Sequence, residues 1–361
     1  MNNLTTQNAK TRDLLIKHYN DYPNLQIEDI FKYIFQSAFG CEHLVSNYDF
    51  ALDYIRKEYE KVPKTFPPVI DRLDGAYSRV HLSCLNANLG SETLAKLFCM
   101  SAKNEVDGIN SLQQKIQVVK SLIDNGNLPF DRHNFDRMLD EWKAMGYPAV
   151  HHSEEFRRAY RPAYRVIANE YVEFLQMFSE IDKLLCNGSA IVAIEGGSAS
   201  GKTTLVGLLE KLYDCNVIHM DDYFLRPSQR TAERLAEVGG NIDRERFYEE
   251  IIQPLKKNES ICYRRFDCST QTLGEPIIVT PKKLTVIEGV YSMHPAFDRY
   301  YNFSVFLDID PQTQKNRILK RNSLEFAKRF FSEWIPLENE YFSKTSIRDR
   351  SDMSITVSQF D

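Results

Sequence analysis

Several features that mark specialised protein classes are scarce or missing in this 361-residue chain. Glycine and proline number only 15 and 14, which excludes collagen-like and low-complexity chains. No apolar run is long enough to cross a bilayer, and the polar start, Met1–Gln7, lacks the apolar core of a signal peptide. The seven cysteines are scattered without a C-x-x-C pair, so we expect reduced thiols in a cytoplasmic protein rather than a disulfide or zinc framework.

An excess of positive charge is also missing. The net charge is −5, with 43% hydrophobic and 26% charged residues, which is typical of a globular enzyme or binding protein. We therefore expect neither nucleic acid nor a membrane surface as partner, while assembly into a homo-oligomer stays open. The length is sufficient for two domains with separate cores.

What the chain does have is one dense motif near its middle. A glycine-rich G-x-x-x-x-G-K-T sequence directly follows the apolar run Ala190–Ile194. This order of strand, glycine-rich turn and helix is the context of a P-loop, in which backbone N–H groups cradle phosphates. An ordinary glycine-rich turn is the alternative interpretation. The predicted nucleotide-binding residues are Gly196, Gly197, Ser198, Ala199, Ser200, Gly201, Lys202, Thr203 and Thr204.

Periodicity divides the chain into two halves at the small-polar sequence Cys186–Ser189. Residues 1–187 have mostly helical periodicity, and the last helix of this half is predicted over Ala163–Leu185. Residues 188–361 alternate short β-rich runs with helices. We therefore expect a mainly α-helical domain followed by an α/β P-loop domain with a doubly wound, mostly parallel sheet.

Acidic residues follow the predicted strands of the second half, where such sheets place their ligands. Asp221 and Asp222 follow one strand, and a carboxylate there could accept the proton of an attacking hydroxyl. Glu288 ends another strand and could help to hold Mg²⁺ together with the Thr203 hydroxyl. An isolated acidic residue at a strand end is more often a turn or cap residue, and we expect that role for Asp310 before Pro311.

A basic helix is predicted after Pro311. It carries Arg317, Lys320, Arg321, Lys328 and Arg329, of which Arg317, Arg321 and Lys328 are spaced to lie near one face. Such a helix could close over ATP and neutralise the transferred phosphoryl group. A solvated helix face is the alternative.

The order of these motifs resembles the uridine kinase and phosphoribulokinase superfamily, from about Ser189 to the C-terminus. The motifs that carry the resemblance are the P-loop, Met220-Asp221-Asp222-Tyr223-Phe224, Asn241-Ile242-Asp243, Arg265-Phe266-Asp267, Ile287-Glu288-Gly289-Val290 and the basic helix. The resemblance implies ATP and Mg²⁺ as cofactors, bound through Lys202, Thr203 and Glu288. It also implies Asp221 as catalytic base, with Lys202 and Arg321 at the phosphoryl group, and Asp243, Phe266 and Tyr223 at the substrate.

The sequence departs from this family at the position that reads uracil. Uridine kinases carry a Tyr-Asp pair followed by a histidine, whereas Phe266-Asp267 is followed here by Cys268-Ser269-Thr270-Gln271. We therefore expect a hydroxyl acceptor with vicinal hydroxyls, and expect uridine and cytidine to be poor substrates.

The first half matches no family that we can name. Arg157, Arg161 and Arg165 recur every four residues and could bind a phosphate or carboxylate, or could belong to a solvated, salt-bridged helix start. The four histidines His43, His81, His151 and His152 could join in a metal site, but none of their spacings is a recognised ligand pattern, and structural or interface histidines are the favoured interpretation.

Two functions from different classes follow from these motifs. The first is an ATP-dependent kinase that phosphorylates a hydroxyl of a small metabolite such as a nucleoside, riboside or sugar. The alternative is an ATP-binding regulatory protein whose helical half binds a partner. A GTPase is disfavoured because the chain has neither an N-K-x-D motif nor a D-x-x-G motif after the P-loop. Asp221 discriminates between the two, since a sensor does not need a base at the acceptor position.

Overall fold

A computed structural model describes residues 2–41, 47–102 and 108–357. The chain divides into two compact units, Met1–Ser179 and Glu180–Asp361. Within the described ranges, no helix combines the length and apolar character that a bilayer span requires. All seven cysteines are free thiols.

The first unit is built mainly of helices around a small antiparallel sheet. Its strands are β1 Ile70–Arg72, β2 Tyr77–His81 and β3 Tyr164–Ala168, in the order β1-β2-β3. A 3-10 helix, Leu82–Ala87, follows β2. The α-helices are α1 Asn2–Asp21, α2 Ile27–Phe39, α3 Tyr48–Tyr59, α4 Ser91–Ser101, α5 Gly108–Asp124, α6 Arg132–Ala144, α7 Glu154–Tyr160, α8 Asn169–Val172 and α9 Leu175–Cys186, which continues into the second unit.

Helix α2 shows how the sequence builds this unit. It begins with a capping box, in which the Gln26 backbone N–H donates to Asp29 Oδ2 over 2.9 Å. Apolar residues recur around most of its circumference, and Ile30, Phe31 and Ile34 are buried. Phe31 stacks on Trp142 of α6 with ring centroids 4.8 Å apart. Each such buried side chain contributes about 1.5–3 kcal/mol relative to an exposed one, so α2 is the central helix of this core.

The helix predicted over Ala163–Leu185 is wrong in its first third. The segment forms β3, then α8, and only then the long helix α9. Val166 and Ile167 are β-branched and follow Pro162, which disfavours a continuous helix through this segment. Both side chains are buried, and Ile167 pairs with Ser78 of β2. Apolar spacing alone did not distinguish a buried strand followed by a helix from one long helix.

The second unit is an α/β fold. Its strands are β4 Ala190–Gly196, β5 Cys215–His219, β6 Ile261–Asp267, β7 Thr272–Val279, β8 Leu284–Glu288, β9 Phe303–Asp308 and β10 Met353–Thr356. Its α-helices are α10 Lys202–Leu212, α11 Ala232–Leu235, α12 Arg244–Phe247, α13 Gln253–Lys257, α14 Pro311–Arg321, α15 Leu324–Arg329, α16 Ile335–Thr345 and α17 Ile347–Arg350. The π-helical segments Tyr248–Ile252 and Phe330–Trp334 and the 3-10 turns Met220–Tyr223, Pro227–Gln229 and Pro295–Phe297 complete it.

Five of these strands form one parallel sheet in the order β10-β9-β4-β8-β5. The predicted parallel α/β fold is thereby confirmed, as is the mainly helical character of the first half. Strand β4 lies in the centre, between β8 and β9, and its carboxyl end continues into the glycine-rich turn. Chain order reverses at β4, and ligands of open α/β sheets bind at such a switch point. Strands β6 and β7 form a separate antiparallel hairpin.

Candidate active site

The glycine-rich turn has the backbone geometry that its sequence predicts. Gly196 has φ +148° and Gly201 has φ +100°, which are values that favour glycine, and Ala199 is left-handed at φ +60°. A Cβ atom at Gly196 would lie 2.5 Å from the backbone oxygen of Leu307 on β9. Both the torsion and the close approach of β9 therefore require glycine at the start of the turn.

Lys202 opens helix α10, and its side chain folds back along the turn. Its Nζ atom donates to the backbone oxygen of Gly196 over 2.8 Å and to that of Gly197 over 3.0 Å. The side chains of Thr203 and Thr204 are exposed in the first turn of the helix. The helix N-terminus contributes partial positive charge at the same place, which favours an anion there.

An acidic side chain already binds this turn. Glu338 of α16 accepts hydrogen bonds from the Ser198 backbone N–H, over 2.8 Å, and from the Ser198 hydroxyl. The side chain is buried, which raises its pKa, while the two hydrogen bonds from Ser198 and the charge of Lys202 oppose that rise. No sequence motif pointed to Glu338, because it lies far from the P-loop in the chain. Its contacts demonstrate that the turn presents donors to a carboxylate oxygen.

Helix α14 also contacts the turn. The Gln314 amide donates to the backbone oxygen of Ser198 over 2.9 Å, and Arg317 Nη1 donates to that of Ala199 over 3.3 Å. Arg321 is exposed one helical turn later. Arg317 is thus the basic residue of α14 that contacts the P-loop backbone, while the catalytic role of Arg321 stays a prediction.

The basic segment is also not one continuous helix. Helix α14 ends at Arg321, and α15 begins after Ser323, whose side chain caps it by accepting from the Phe326 N–H. Arg317 and Arg321 lie one turn apart on α14, whereas Lys328 lies on α15, so the prediction of one helix that carries all three is wrong. Asp310 caps α14 as predicted, accepting from the backbone N–H groups of Gln312 and Thr313.

Asp221 and Glu288 lie at the carboxyl ends of two neighbouring strands. Glu288 ends β8 and is buried, and its Oε1 lies 2.7 Å from Nδ1 of His219, its partner across the β5–β8 register. This hydrogen bond is the main cause that raises the pKa of His219. No sequence pattern assigned His219 a role, since a histidine inside a strand is usually a core residue.

Asp221 follows β5 in the 3-10 turn Met220–Tyr223. Its carboxylate is accessible from solvent, but the surrounding protein limits its hydration and raises its pKa. Glu288 raises that pKa further, while the positive charges of Lys202 and His219 lower it. These four side chains are thus close enough to influence one another, and they combine a carboxylate of raised pKa with the P-loop cation.

Asp222 has different surroundings from Asp221. Its Oδ2 atom forms an ion pair with Arg265 Nε over 3.3 Å, and its backbone oxygen accepts a hydrogen bond from Arg246 over 2.6 Å. The side chain is half-buried, and burial is the largest cause that raises its pKa. The largest charge effect on the pKa of Asp221 comes from the P-loop lysine, whereas that on Asp222 comes from Arg265.

The three predicted substrate residues share one property, which is burial. Tyr223 is fully buried in the core against Phe247 and Tyr263, so it has no surface for a substrate. Asp243 is also buried; it caps α12 and accepts from the Gln229 amide over 3.0 Å. Phe266 of β6 is buried too. The predicted substrate role is therefore excluded for Tyr223 and stays a prediction for Asp243 and Phe266.

Sequence reasoning missed a buried carboxylate in the central strand. Glu195 of β4 accepts from the backbone N–H groups of Tyr291 over 2.7 Å and Met293 over 2.8 Å. Burial raises its pKa to about 7. The two bonds fix the turn that follows Glu288, in which Gly289 has φ +134° and Tyr291 φ +77°. Glu195 is therefore a positioning residue for the end of β8.

The arginines predicted as a cluster in the first unit do not share a face. Arg157 is exposed on α7, Arg161 is left-handed at the C-cap of that helix, and Arg165 is buried in β3. Helix α7 ends before Pro162 and the chain then forms a strand, so a spacing of four residues no longer places these side chains on one face.

The predicted metal-binding histidines have separate partners where the structure describes them. His81 pairs with Asp71 and His152 with Asp29, whereas His151 is exposed. His43 lies outside the described residues. Over residues 2–41, 47–102 and 108–357, no group of three or more His, Cys, Asp or Glu side chains is arranged to hold a metal ion.

Comparison with known proteins supports the resemblance inferred from the motifs. The chain is 28% identical over 157 residues to a phosphoribulokinase from Synechocystis sp., an alignment that covers 41% of this chain and 45% of that protein. The chain thus matches less than half the length of this relative. This similarity confirms the resemblance to the uridine kinase and phosphoribulokinase-like P-loop kinases, which extends over about half the chain. No protein-family model matches the chain.

Among solved structures, a possible uridine kinase from Bacillus stearothermophilus is 21% identical. The structural alignment covers 50% of this chain and 99% of the other chain, with a TM-score of 0.37.

Proposed function

We propose that the Glu180–Asp361 unit is an ATP-dependent phosphotransferase that phosphorylates a hydroxyl group of a small metabolite. The observation that carries this proposal is the grouping of Asp221, Glu288 and Lys202 at the carboxyl ends of β5 and β8 and the start of α10. A nucleotide-binding protein without transfer activity does not need an accessible carboxylate of raised pKa beside the P-loop lysine.

The residues of the turn fit a nucleoside triphosphate. Positive φ values at Gly196, Ala199 and Gly201 shape the turn, and the Ser198 N–H already donates to a carboxylate oxygen. Residues Gly196 to Thr204 would hold the phosphates, and the Thr203 hydroxyl and Glu288 would hold Mg²⁺. ATP and Mg²⁺ supply the transferable phosphoryl group and the neutralisation of its charge.

Asp221 would orient the acceptor hydroxyl and take its proton. The proton leaves the hydroxyl as its oxygen bonds to phosphorus, and Asp221 is the carboxylate at the site that remains accessible. Its raised pKa makes it a stronger base than an ordinary aspartate. His219 would hold Glu288 in place through their hydrogen bond.

Lys202 and the basic helix α14 would stabilise charge on the transferred group. Arg317 already reaches the P-loop, and Arg321 follows on the same helix one turn later. Asp243 and Phe266 would belong to the acceptor site, although a substrate hydroxyl would have to replace the Gln229 amide at Asp243. Tyr223 has no part in that site because it is fully buried.

An acceptor screen tests this proposal. The purified full chain is incubated with ATP and Mg²⁺ and one member of a panel of nucleosides, ribosides, sugars and pantothenate-like alcohols, and ADP formation is followed. We expect one chemical class of acceptor to stimulate ADP formation, with uridine and cytidine among the weakest. Lys202→Ala provides the background. ATP consumption that no acceptor stimulates, or that survives in Lys202→Ala, would contradict the proposal.

A further inference from the structure

The Met1–Ser179 unit contains a cavity that the proposed phosphotransferase chemistry does not use. Its volume is about 340 Å³, within the range of small-ligand sites. Its charged and most of its aromatic lining side chains are Lys32, Tyr54, Glu58, Phe98, Tyr164 and Arg165. The cavity thus combines aromatic walls with two cations and one carboxylate.

Arg165 is the central cation of this cavity. It is only 6% exposed, and its Nη1 atom donates to Glu58 Oε2 and to the backbone oxygen of Tyr164, each over 2.8 Å. Its Nη2 atom is buried and has no hydrogen-bond partner among the described residues. A buried guanidinium donor is normally satisfied, so an unpaired one at a cavity wall points to an acceptor supplied by a ligand.

Lys32 provides a second cation at the same cavity. Its Nζ atom donates to the backbone oxygen of Val150 over 2.9 Å. Burial lowers its pKa to about 8, and the nearby cations Arg79 and Arg157 act in the same direction. A bound anion would relieve this repulsion.

A third cation lies behind the wall. Arg79 is 1% exposed and donates to Gln36 Oε1 over 2.9 Å. Like Nη2 of Arg165, its Nη2 atom is buried and has no hydrogen-bond partner among the described residues. In the part of the chain that the structure describes, no carboxylate lies within ion-pair distance of Arg79. Its charge adds to the positive potential of the cavity.

The walls select for the shape of the rest of the ligand. Phe50 and Tyr54 of α3 are stacked with ring planes 7° apart, and both are more than half exposed. The Arg165 guanidinium carbon lies 5.2 Å from the Tyr54 ring centroid and 5.7 Å from that of Phe98. Flat rings beside a guanidinium favour a ligand with a flat apolar body next to its anionic group.

We propose that this cavity binds a small organic carboxylate with a flat, apolar body. The carboxylate would accept from Nη2 of Arg165 and pair with Lys32, while the body would lie against Tyr54 and Phe98. Among the lining side chains, two cations and the Glu58 carboxylate leave one net positive charge. The Asp29 carboxylate acts on Lys32 in the direction opposite to Arg79, so the count matches a monoanion better than a phosphate dianion. All of the lining residues belong to the first unit.

The test is a titration calorimetry series on the full chain. The probes are phenylacetate and indole-3-acetate, their neutral amides, and phenyl phosphate. We expect a saturable site that binds one of the carboxylates at least about tenfold more tightly than its amide, with phenyl phosphate weaker than the carboxylates. Equal affinity for acid and amide, or preference for phenyl phosphate, would overturn the proposal.

Variants tie the binding to this cavity. Tyr54→Ala changes a residue that is 57% exposed, so it should fold normally and weaken carboxylate binding by about fivefold or more. Phe66→Ala is the matched control, since Phe66 is also 57% exposed but does not line the cavity. Arg165→Lys keeps the charge but loses Nη2 and should weaken binding at least tenfold, provided that its melting temperature shows a folded chain. Unchanged affinity in folded Tyr54→Ala would refute the site.

Discussion

The two proposed anion sites, one in each unit, are built by opposite means. In the second unit, consecutive residues of one turn present backbone donors at a helix N-terminus, and a single lysine adds charge. In the first unit, Lys32 and Arg165 come from α2 and β3 and provide side-chain cations inside a wall of aromatic rings. Backbone donors suit a polyphosphate of high charge, whereas two buried side chains beside flat rings suit a singly charged organic acid.

This difference decides how each centre responds to substitution. The turn depends on backbone torsions, so its function is sensitive to glycine replacement and to the loss of one cation. The cavity depends on side chains, so conservative replacements there change affinity more than fold. Variants in one unit should therefore leave the ligand affinity of the other unit unchanged.

The largest effect is expected from Lys202→Ala. Removing the P-loop cation should lower phosphoryl transfer by at least ~10²-fold, because a contact made to the transferred phosphate is lost. The chain should remain folded, and its affinity for the organic carboxylate should not change. Lys211→Ala, an exposed residue at the end of the same helix, is the matched control. Near-normal transfer by folded Lys202→Ala would remove the basis for a kinase.

Asp221→Asn should be almost as damaging. The amide keeps the size of the side chain but cannot take a proton, so transfer should fall by roughly 10²-fold while ATP affinity stays close to normal. Asp222→Asn is the comparison, and it should lose much less because Asp222 is paired with Arg265. Rate measurements at saturating ATP decide the question. If Asp222→Asn is the inactive variant, the role of base moves to Asp222.

Gly196→Ala should act through the fold of the turn. An alanine at this position would have to adopt φ +148°, and its Cβ atom would lie 2.5 Å from the Leu307 backbone oxygen. We therefore expect the free energy of unfolding to fall by about 1–3 kcal/mol and ATP binding to be lost. Gly207→Ala is the control in helix α10, because a Cβ atom added there would meet no described atom within 4 Å. That change should be neutral or stabilise by about 0.5–1 kcal/mol. Thermal unfolding of both variants provides the measurement.

The pH profile of transfer reports on Asp221. The base must be deprotonated, and its pKa is raised by limited hydration and by Glu288. Activity should therefore be lost as the pH falls through a value above the ordinary aspartate range. His219→Asn should move this acid limb to higher pH, because the histidine cation lowers the pKa of Asp221. An acid limb at the ordinary value in wild type would contradict the assignment.

The smallest effect is expected from Glu338→Gln. Its carboxylate binds the Ser198 N–H, and neutralising it removes an anion that repels the polyphosphate. ATP should bind about threefold to tenfold more tightly, as expected when the repulsion from one nearby, partly screened charge is removed. Glu340→Gln on the same helix is the control, since Glu340 is exposed and pairs with Lys344. Weaker ATP binding by Glu338→Gln would instead mean that Glu338 preorganises the turn.

The P-loop could be predicted from the sequence because its function depends on neighbouring residues and on backbone torsions that only glycine favours. The parallel sheet followed from the alternation of buried strands with helices. The contributions of Glu338, Gln314 and His219 could not be predicted, because each depends on a contact between distant segments. Tyr223 was assigned to the substrate site from its motif but is buried in the core, because a motif does not show which way a side chain points.

The cavity of the first unit illustrates the same limit more strongly. Lys32, Glu58 and Arg165 come from three elements that no local pattern connects. The sequence did draw attention to Arg165, but as one of three arginines on a helix rather than as a buried residue of a strand. Its guanidinium is buried because Tyr54 and Glu58 of α3 and Phe98 of α4 lie against it.

One measurement tests the central claim most directly. The full chain is given ATP labelled in the γ-phosphate and a cell extract of small metabolites, and acid-stable label in small molecules is measured for wild type and Asp221→Asn. If the second unit is a phosphotransferase, wild type labels a metabolite that the variant, despite binding ATP equally well, leaves unlabelled. Equal ATP binding by both proteins with no labelled metabolite from wild type would instead identify an ATP-binding regulatory protein and contradict the account.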